Sequence, residues 1–191
     1  TPGHANALPA LANALHSEAP LINIAGSAES ANTGRGAMQE FDQVGAAAPI
    51  TKGAWDVPSP ERIPEYVALA FRTALSGRQG PVHLTIPHDY QMAEVDDAEV
   101  ARYAPNEYGT PMQVLGDPAQ IERAIDILLS AQRPVIFAGS SAGATAIPAE
   151  VLRLVETMRI PFFSEDSARA LIPDSHEYSM GLGYQPLNAA V

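Results

Sequence analysis

The chain has 191 residues, 46% of them apolar and 17% charged, which is enough for one large globular domain or parts of two. Its formal net charge of −11 argues against nucleic acid and anionic membrane surfaces as partners, and no apolar run reaches the roughly 18 residues of a membrane span. Cysteine is absent, which excludes disulfides, thiolate catalysis and Cys-based metal sites.

In chain order, "TPGHAN" reads as a turn at Pro2 and Gly3 that opens a helix over about 6–15. A glycine turn ahead of a helix either presents free backbone N–H groups to a ligand or serves as an ordinary turn. "PLINIAG" at 20–26 is a proline followed by a short apolar run, and the same punctuation recurs in "PVHLTIP" at 81–87, "PVIFAG" at 134–139 and "PFFS" at 161–164. Near-continuous apolar runs of this length predict strands buried on both faces, with proline tolerated at the first strand residue. Between them, Ile63, Tyr66, Val67, Ala70, Phe71, Ala74 and Leu75 trace one face of a helix over 61–76, with Ser59 as N-cap and Pro60 at its first position. Ile121, Ala124, Ile125, Leu128 and Leu129 do the same over 118–131 behind an Asp117 cap, and a further helix is predicted over about 146–158. Strands alternating with helices make this an α/β protein with parallel sheets flanked by helices. The acidic, proline-spaced stretch 97–116 reads as a linker between a unit at 1–96 and a second at 117–191. Both units read as incomplete, and a cytoplasmic location is the default for a start with no basic, apolar leader.

Three stretches are candidates for chemistry. "GAMQEFDQVGAAAP" at 36–49 packs amides and carboxylates among small residues; it fits a solvated loop leading into a small helix, or a loop whose Gln39 amide points into a ligand pocket. "AGSSAG" at 138–143 lies where open α/β sheets bind nucleotides, making Gly139, Ser140 and Ser141 a possible nucleotide loop. It matches neither G-x-G-x-x-G nor the G-K-[ST] of a P-loop, and a structural tight turn fits as well. His83, in mid-strand, reads as a satisfied buried imidazole, His4 and His16 have no cluster around them for zinc, and Asp89 reads as the cap of a turn. The serines and carboxylates form no triad spacing, and G-x-S-x-G is absent.

Taken together, the segments resemble a known family. "TPGHANALPALANAL" is similar to the "GPG-x-x-N" segment of thiamine-diphosphate enzymes of the acetolactate synthase type. "MQEFDQVGAAAPITK" resembles their "FQE-x-D-Q…PITK", and "GRQGPVHLTIPHDYQ" their "GRPGPV-x-x-x-IP-x-D-x-Q". "AQRPVIFAGSSAG" and "SARALIPDSHEYSMGLGY" are similar to the opening of their central domain, so the likeness runs along essentially the whole chain. The wording sits closest to the carboligase and lyase branch, such as benzaldehyde lyase and 2-hydroxyacyl-CoA lyase.

The resemblance implies the second half of a pyrimidine-binding domain, a linker and the first part of a Rossmann-like central domain. It implies thiamine diphosphate and Mg²⁺ as cofactors, with the catalytic glutamate expected upstream of Thr1 and the Mg²⁺-holding "GDG…N" motif downstream of Val191, so that this stretch alone is expected to be inactive. It places Pro2, Gly3 and Asn6 at the cofactor's pyrimidine side, Gln39 at the active-site glutamine and Met38 in the substrate pocket; Thr1 stands where the family carries Gly. FAD, ADP or CoA is the implied ligand near Gly139, with glycines there partly replaced by Ser and Ala. Implied substrates are 2-oxoacids, aldehydes or 2-hydroxyacyl compounds, and the implied assembly is a homodimer or homotetramer in which a second subunit completes the site. The alternative is a non-catalytic nucleotide-binding or structural α/β module derived from the family.

Overall fold

The computed structural model describes residues 1–103, 115–144 and 148–183. The chain divides into two compact units, Thr1–Met112 and Gln113–Val191. Most of the predicted linker, residues 104–114, lies outside the described residues, as do 145 to 147 at the start of the helix predicted over 146–158.

The first unit runs α1 (Pro2–His16), β1 (Ile22–Ser27), α2 (Gln43–Ala47), β2 (Ala54–Asp56), α3 (Ile63–Leu75), β3 (Val82–Pro87) and α4 (His88–Gln91). Its three strands form a parallel sheet in the order β1-β3-β2. The central strand β3 is buried along its whole length, as its uninterrupted apolar run predicts. Register then sorts the side chains by face. Ile22 pairs with Val82, and Trp55 pairs with Leu84, on the face covered by Tyr66, Val67, Ala70 and Ala74 of α3. On the other face Asn23 pairs with His83, and Asp56 with Thr85, beneath α1 and α2.

Several boundaries differ from the sequence reading. α1 starts at Pro2, so Pro2 and Gly3 lie in its first turn and not ahead of it; proline at this position has its φ preset and lacks only an N–H that would go unpaired anyway. Ser59 and Pro60 open a 3₁₀ turn at Pro60–Arg62, and the α-helix begins at Ile63 with Pro64 in its first turn. Lys52 of the "PITK" stretch closes the other end of α3, its Nζ donating to the carbonyls of Thr73 and Ser76.

The second unit runs α5 (Pro118–Ser130), β4 (Ile136–Ala138), α6 (Ser140–Ala144), α7 (Pro148–Met158), β5 (Phe162–Ser164) and β6 (Ser179–Leu182), with a parallel sheet in the order β4-β5-β6. The Asp117 carboxylate accepts from the Ala119 N–H, the predicted cap. Its core joins Ala138, Val155, Phe162, Ala168, Leu171 and Ile172. β2 and β6 carry no proline-led apolar run, and neither was among the predicted strands. Among the described residues no helix is long and apolar enough to cross a membrane.

Candidate functional site

The loop between β1 and α2 leaves the carboxyl end of the sheet, where ligands of open parallel sheets gather. It is organised by Glu40, whose carboxylate accepts the N–H groups of Gly34, Gly36 (2.8 Å) and Ala37 (3.1 Å). These bonds hold the Glu40 carboxyl below the usual range, the Gly34 N–H contributing most. Gly34 and Gly36 both take positive φ, which the tight path around the carboxylate requires. Asp42 caps α2 by accepting from the Gly45 N–H at 2.7 Å. Asp89, read from sequence as the cap of a turn, lies in the first turn of α4, where its carboxylate accepts from the backbone of Asp89 and Tyr90, and it also reaches Ser30, accepting from its N–H at 2.9 Å and its hydroxyl at 2.5 Å. Around this frame lies an open cavity of about 800 Å³, whose walls include Glu40, Asp42, Gln43, Asp56, Thr85 and Tyr90.

Gln39 does not line that cavity. It sits exposed on the loop with φ of +64°, a left-handed conformation uncommon for a residue with a side chain. Its carbonyl accepts a hydrogen bond from the Thr1 hydroxyl at the start of α1. Met38 beside it is 87% exposed. Pro2, Gly3 and Asn6 are exposed on the first turns of α1, and no atom crowds the position a Gly3 side chain would take. The structure therefore brings Gln39 and the start of α1 together through Thr1, a contact between residues 38 apart in sequence.

The sequence reading leaves Glu40, Asp42 and Gln43 to framework hydrogen bonds or helix capping, and of these Gln43 is 2% exposed and lies under the loop. Its Nε2 donates to the Gly26 carbonyl at 2.9 Å and to the Thr1 hydroxyl oxygen at 3.4 Å, and its Oε1 accepts from Thr85 at 3.5 Å. Behind it the network continues. His4 Nε2 lies 3.2 Å from the Gln43 carbonyl, Asn23 Nδ2 lies 2.9 Å from Nδ1 of both His4 and His83, and His83 Nε2 lies 2.9 Å from Thr85 Oγ1. A carbonyl only accepts, so His4 Nε2 carries a proton; His4 Nδ1 then accepts, and Asn23 donates one amide hydrogen to each imidazole. His83 is thereby also an Nε2–H tautomer, donating to Thr85. The Thr85 proton is left to point at acceptors, Gln43 Oε1 and the Asp56 carboxylate.

The two imidazoles stack with centroids 4.1 Å apart. Burial, and then the neighbouring His4 ring, push the His83 pKa down to about 4, so both the tautomer and the charge state favour a neutral ring. The sequence reading of His83 as a satisfied buried imidazole matches this arrangement. Partial desolvation lifts the Asp56 carboxyl, the Thr85 hydrogen bond works against that, and the Asp42 charge adds to it. Among the described residues no buried side-chain nitrogen or oxygen lacks a partner. The signal in the sequence was the alternation Asn23, His83, Thr85 within otherwise apolar strands. Its meaning depends on a register and a helix docking that local pattern does not carry.

In the second unit, Ser140 and Ser141 start the short helix α6, and Gly139 lies between β4 and that helix. A side chain at Gly143 would meet the Ser167 carbonyl oxygen at 2.0 Å, so this glycine is demanded by packing of the following turn. One at Gly139 would lie 3.4 Å from the Glu165 carboxylate, an unfavourable neighbour for a phosphate.

Comparison with known proteins bears on both units. Residues 1–46 match the N-terminal TPP binding domain of thiamine pyrophosphate enzymes, and residues 121–191 match their central domain. The chain is 33% identical over 182 residues to a probable acetolactate synthase large subunit of Methanocaldococcus jannaschii, covering 95% of this chain and 31% of that protein. It is 32% identical over 180 residues to the oxalyl-CoA decarboxylase of Escherichia coli K12 (93% and 32% covered) and 31% identical over 181 residues to the 2-hydroxyacyl-CoA lyase of Arabidopsis thaliana (93% and 32% covered). The chain thus spans about a third of the length of these curated relatives.

Proposed function

We propose, for a chain that belongs to the thiamine pyrophosphate enzyme family, that the whole protein is a thiamine-diphosphate-dependent C–C lyase, carboligase or 2-oxoacid decarboxylase, and that Gln39 is its active-site amide. When bound, the cofactor supplies a carbanion nucleophile and an electron sink. The residues present fit its approach: Gly3 opens onto free space on the first turn of α1, with Pro2 and Asn6 on the same turns, and the loop bearing Gln39 is hydrogen-bonded to that end of the helix. Pro2, Gly3 and Asn6 would hold the cofactor there. The observation that carries the reading of Gln39 is its exposed side chain on a backbone held fixed, in left-handed conformation, beside the start of α1.

A neutral amide suits the task. It donates to negative charge growing on a substrate oxygen and accepts from a hydroxyl, without bringing a charge of its own. Met38, exposed next to it, shapes the acceptor pocket in this reading, and a second subunit closes over both in a homodimer or homotetramer. Among the described residues no three imidazole or carboxylate groups converge on a cation position, so these residues do not fit Mg²⁺ and no step is derived through it. The nucleotide reading of Gly139, Ser140 and Ser141 is the weaker one, given Glu165 beside Gly139.

The substrate class is 2-oxoacids, aldehydes or 2-hydroxyacyl compounds. Assaying the whole protein against one of each, with and without thiamine diphosphate, is expected to show turnover of at least one that requires the cofactor. Turnover of none, or turnover indifferent to cofactor, contradicts the assignment.

A further inference from the structure

We propose that Gln43 is a positioning residue: its buried amide ties Thr1 to the end of β1, and the Thr1 hydroxyl in turn holds the Gln39 backbone in the conformation that presents its side chain. The proposal rests on the reading of Gln39 given above and adds to it the residues that set its geometry.

Gln43 is the fixed end of the relay. Its two N–H groups are spent on acceptors, the Gly26 carbonyl and the Thr1 hydroxyl oxygen. Its Oε1 is engaged by Thr85, which is itself held by His83. Its carbonyl is engaged by His4. A rotation of the amide would leave the Gly26 carbonyl without its donor and set the amide oxygen against it, acceptor against acceptor, which fixes the orientation of the side chain. Thr1 has a single hydroxyl proton. With Gln43 donating to the hydroxyl oxygen, that proton goes to the Gln39 carbonyl. On the far side of Gln39, Glu40 is anchored by the three N–H groups of Gly34, Gly36 and Ala37. The left-handed residue is therefore held at its own carbonyl and at the residue that follows it, which is what a conformation disfavoured for a side-chain-bearing residue needs to persist.

The chemistry demands an amide at position 43. A carboxylate of the same shape would face the Gly26 carbonyl with no hydrogen to offer, and could not orient Thr1 as a donor toward Gln39. At position 1 the hydroxyl is what matters, so Thr1→Ser is expected to preserve the relay and the near-isosteric Thr1→Val to cut it.

The test uses the whole protein, with trypsin cleavage after the exposed Arg35 reporting loop order and steady-state kinetics reporting catalysis. Thr1→Val is expected to speed cleavage after Arg35 by at least about threefold. It is also expected to lower kcat by about tenfold while thiamine diphosphate affinity stays unchanged. Gln43→Glu is expected to act in the same direction, and Thr1→Ser to behave as wild type in both assays. Combined with Gln39→Ala, Thr1→Val should cause no further loss of kcat while still speeding cleavage. Thr1→Val that matches Thr1→Ser in both cleavage and kcat overturns the proposal, and so do losses that multiply in the double variant. Wild-type turnover of Gln39→Ala alone removes the reading of Gln39, and the cleavage rates then decide by themselves whether Gln43 and Thr1 hold the loop.

Discussion

In the second unit the central strand β5 puts Phe162 into a cluster with Ala138, Val155, Leu171 and Ile172, apolar groups that need only fit one another. In the first unit the central strand β3 uses one face in the same way, with Val82 and Leu84 against Ala70 and Ala74 of α3. Its other face turns His83 and Thr85 toward α1 and α2, where every polar atom must find a partner of the right sense. Packing tolerates exchange of similar volumes, whereas a hydrogen-bond chain specifies donors, acceptors and tautomers one by one. The polar face lies directly behind the loop that carries Gln39. The comparison teaches that buried polarity is concentrated where a backbone has to be held in one uncommon conformation, and is sparse, with Ser164 as the buried polar residue of β5, where a core has mainly to exclude water.

The comparison is broken most directly at Phe162. Phe162→Ala is expected to cost about 3–5 kcal/mol in the second unit, through lost apolar burial and the cavity left behind. Hydrogen exchange of the whole protein should show the loss in segments of the second unit, with the same size at pH 7 and pH 5. A comparable loss in the first unit would mean that the two cores are not held independently.

The next effect belongs to pH. An unfolded His83 takes up a proton near 6.5 and the folded one only near 4, so protonation favours the unfolded state as pH falls across that window. The folded first unit is expected to lose up to about 3 kcal/mol between those limits, and to have its full stability above pH 6.5. Glu40, whose carboxyl is depressed by its three N–H donors, adds a further loss in the same direction as pH drops below the ordinary carboxylate range. Urea titrations of the wild type and of His83→Gln, at pH 7 and pH 4.5, check this; equal pH dependence in the two proteins would contradict it.

Smaller again is the removal of one hydroxyl. Thr85→Val keeps the volume of the side chain but leaves the His83 N–H without its acceptor, at a cost of about 1–3 kcal/mol. Thermal unfolding of the whole protein measures it. A neutral or stabilising substitution would mean that this face, too, is held by packing alone.

How much of this was legible beforehand differs between the same two regions. Apolar runs led by Pro20, Pro81, Pro134 and Pro161 marked strands of both sheets, but burial on both faces holds along the whole length of β3 only, while β1 leaves Ile24 and β4 leaves Phe137 exposed. The spacing of Ile63, Val67, Ala70 and Ala74 marked the helix that covers the apolar face, because that spacing is written locally in residue type. β2 was missed because "AWD" has no apolar run and is a strand only through pairing with β3. The polar cluster among small residues at 36–49 singled out Gln39 only as one of two readings, a solvated loop fitting as well, and the resemblance tipped the choice. Gln43 was legible only as one of three polar residues suited to framework hydrogen bonds or helix capping. Its role depends on Thr1, Gly26, Thr85 and His4 arriving around it from distant parts of the chain, and no spacing encodes that.

The central claim is that Gln39 works on the reacting groups and not on cofactor binding. Steady-state turnover and thiamine diphosphate titration of Gln39→Ala in the whole protein test it most directly. The account predicts turnover reduced by at least about tenfold with cofactor affinity unchanged. Wild-type turnover, or a loss that disappears at saturating cofactor, would contradict it.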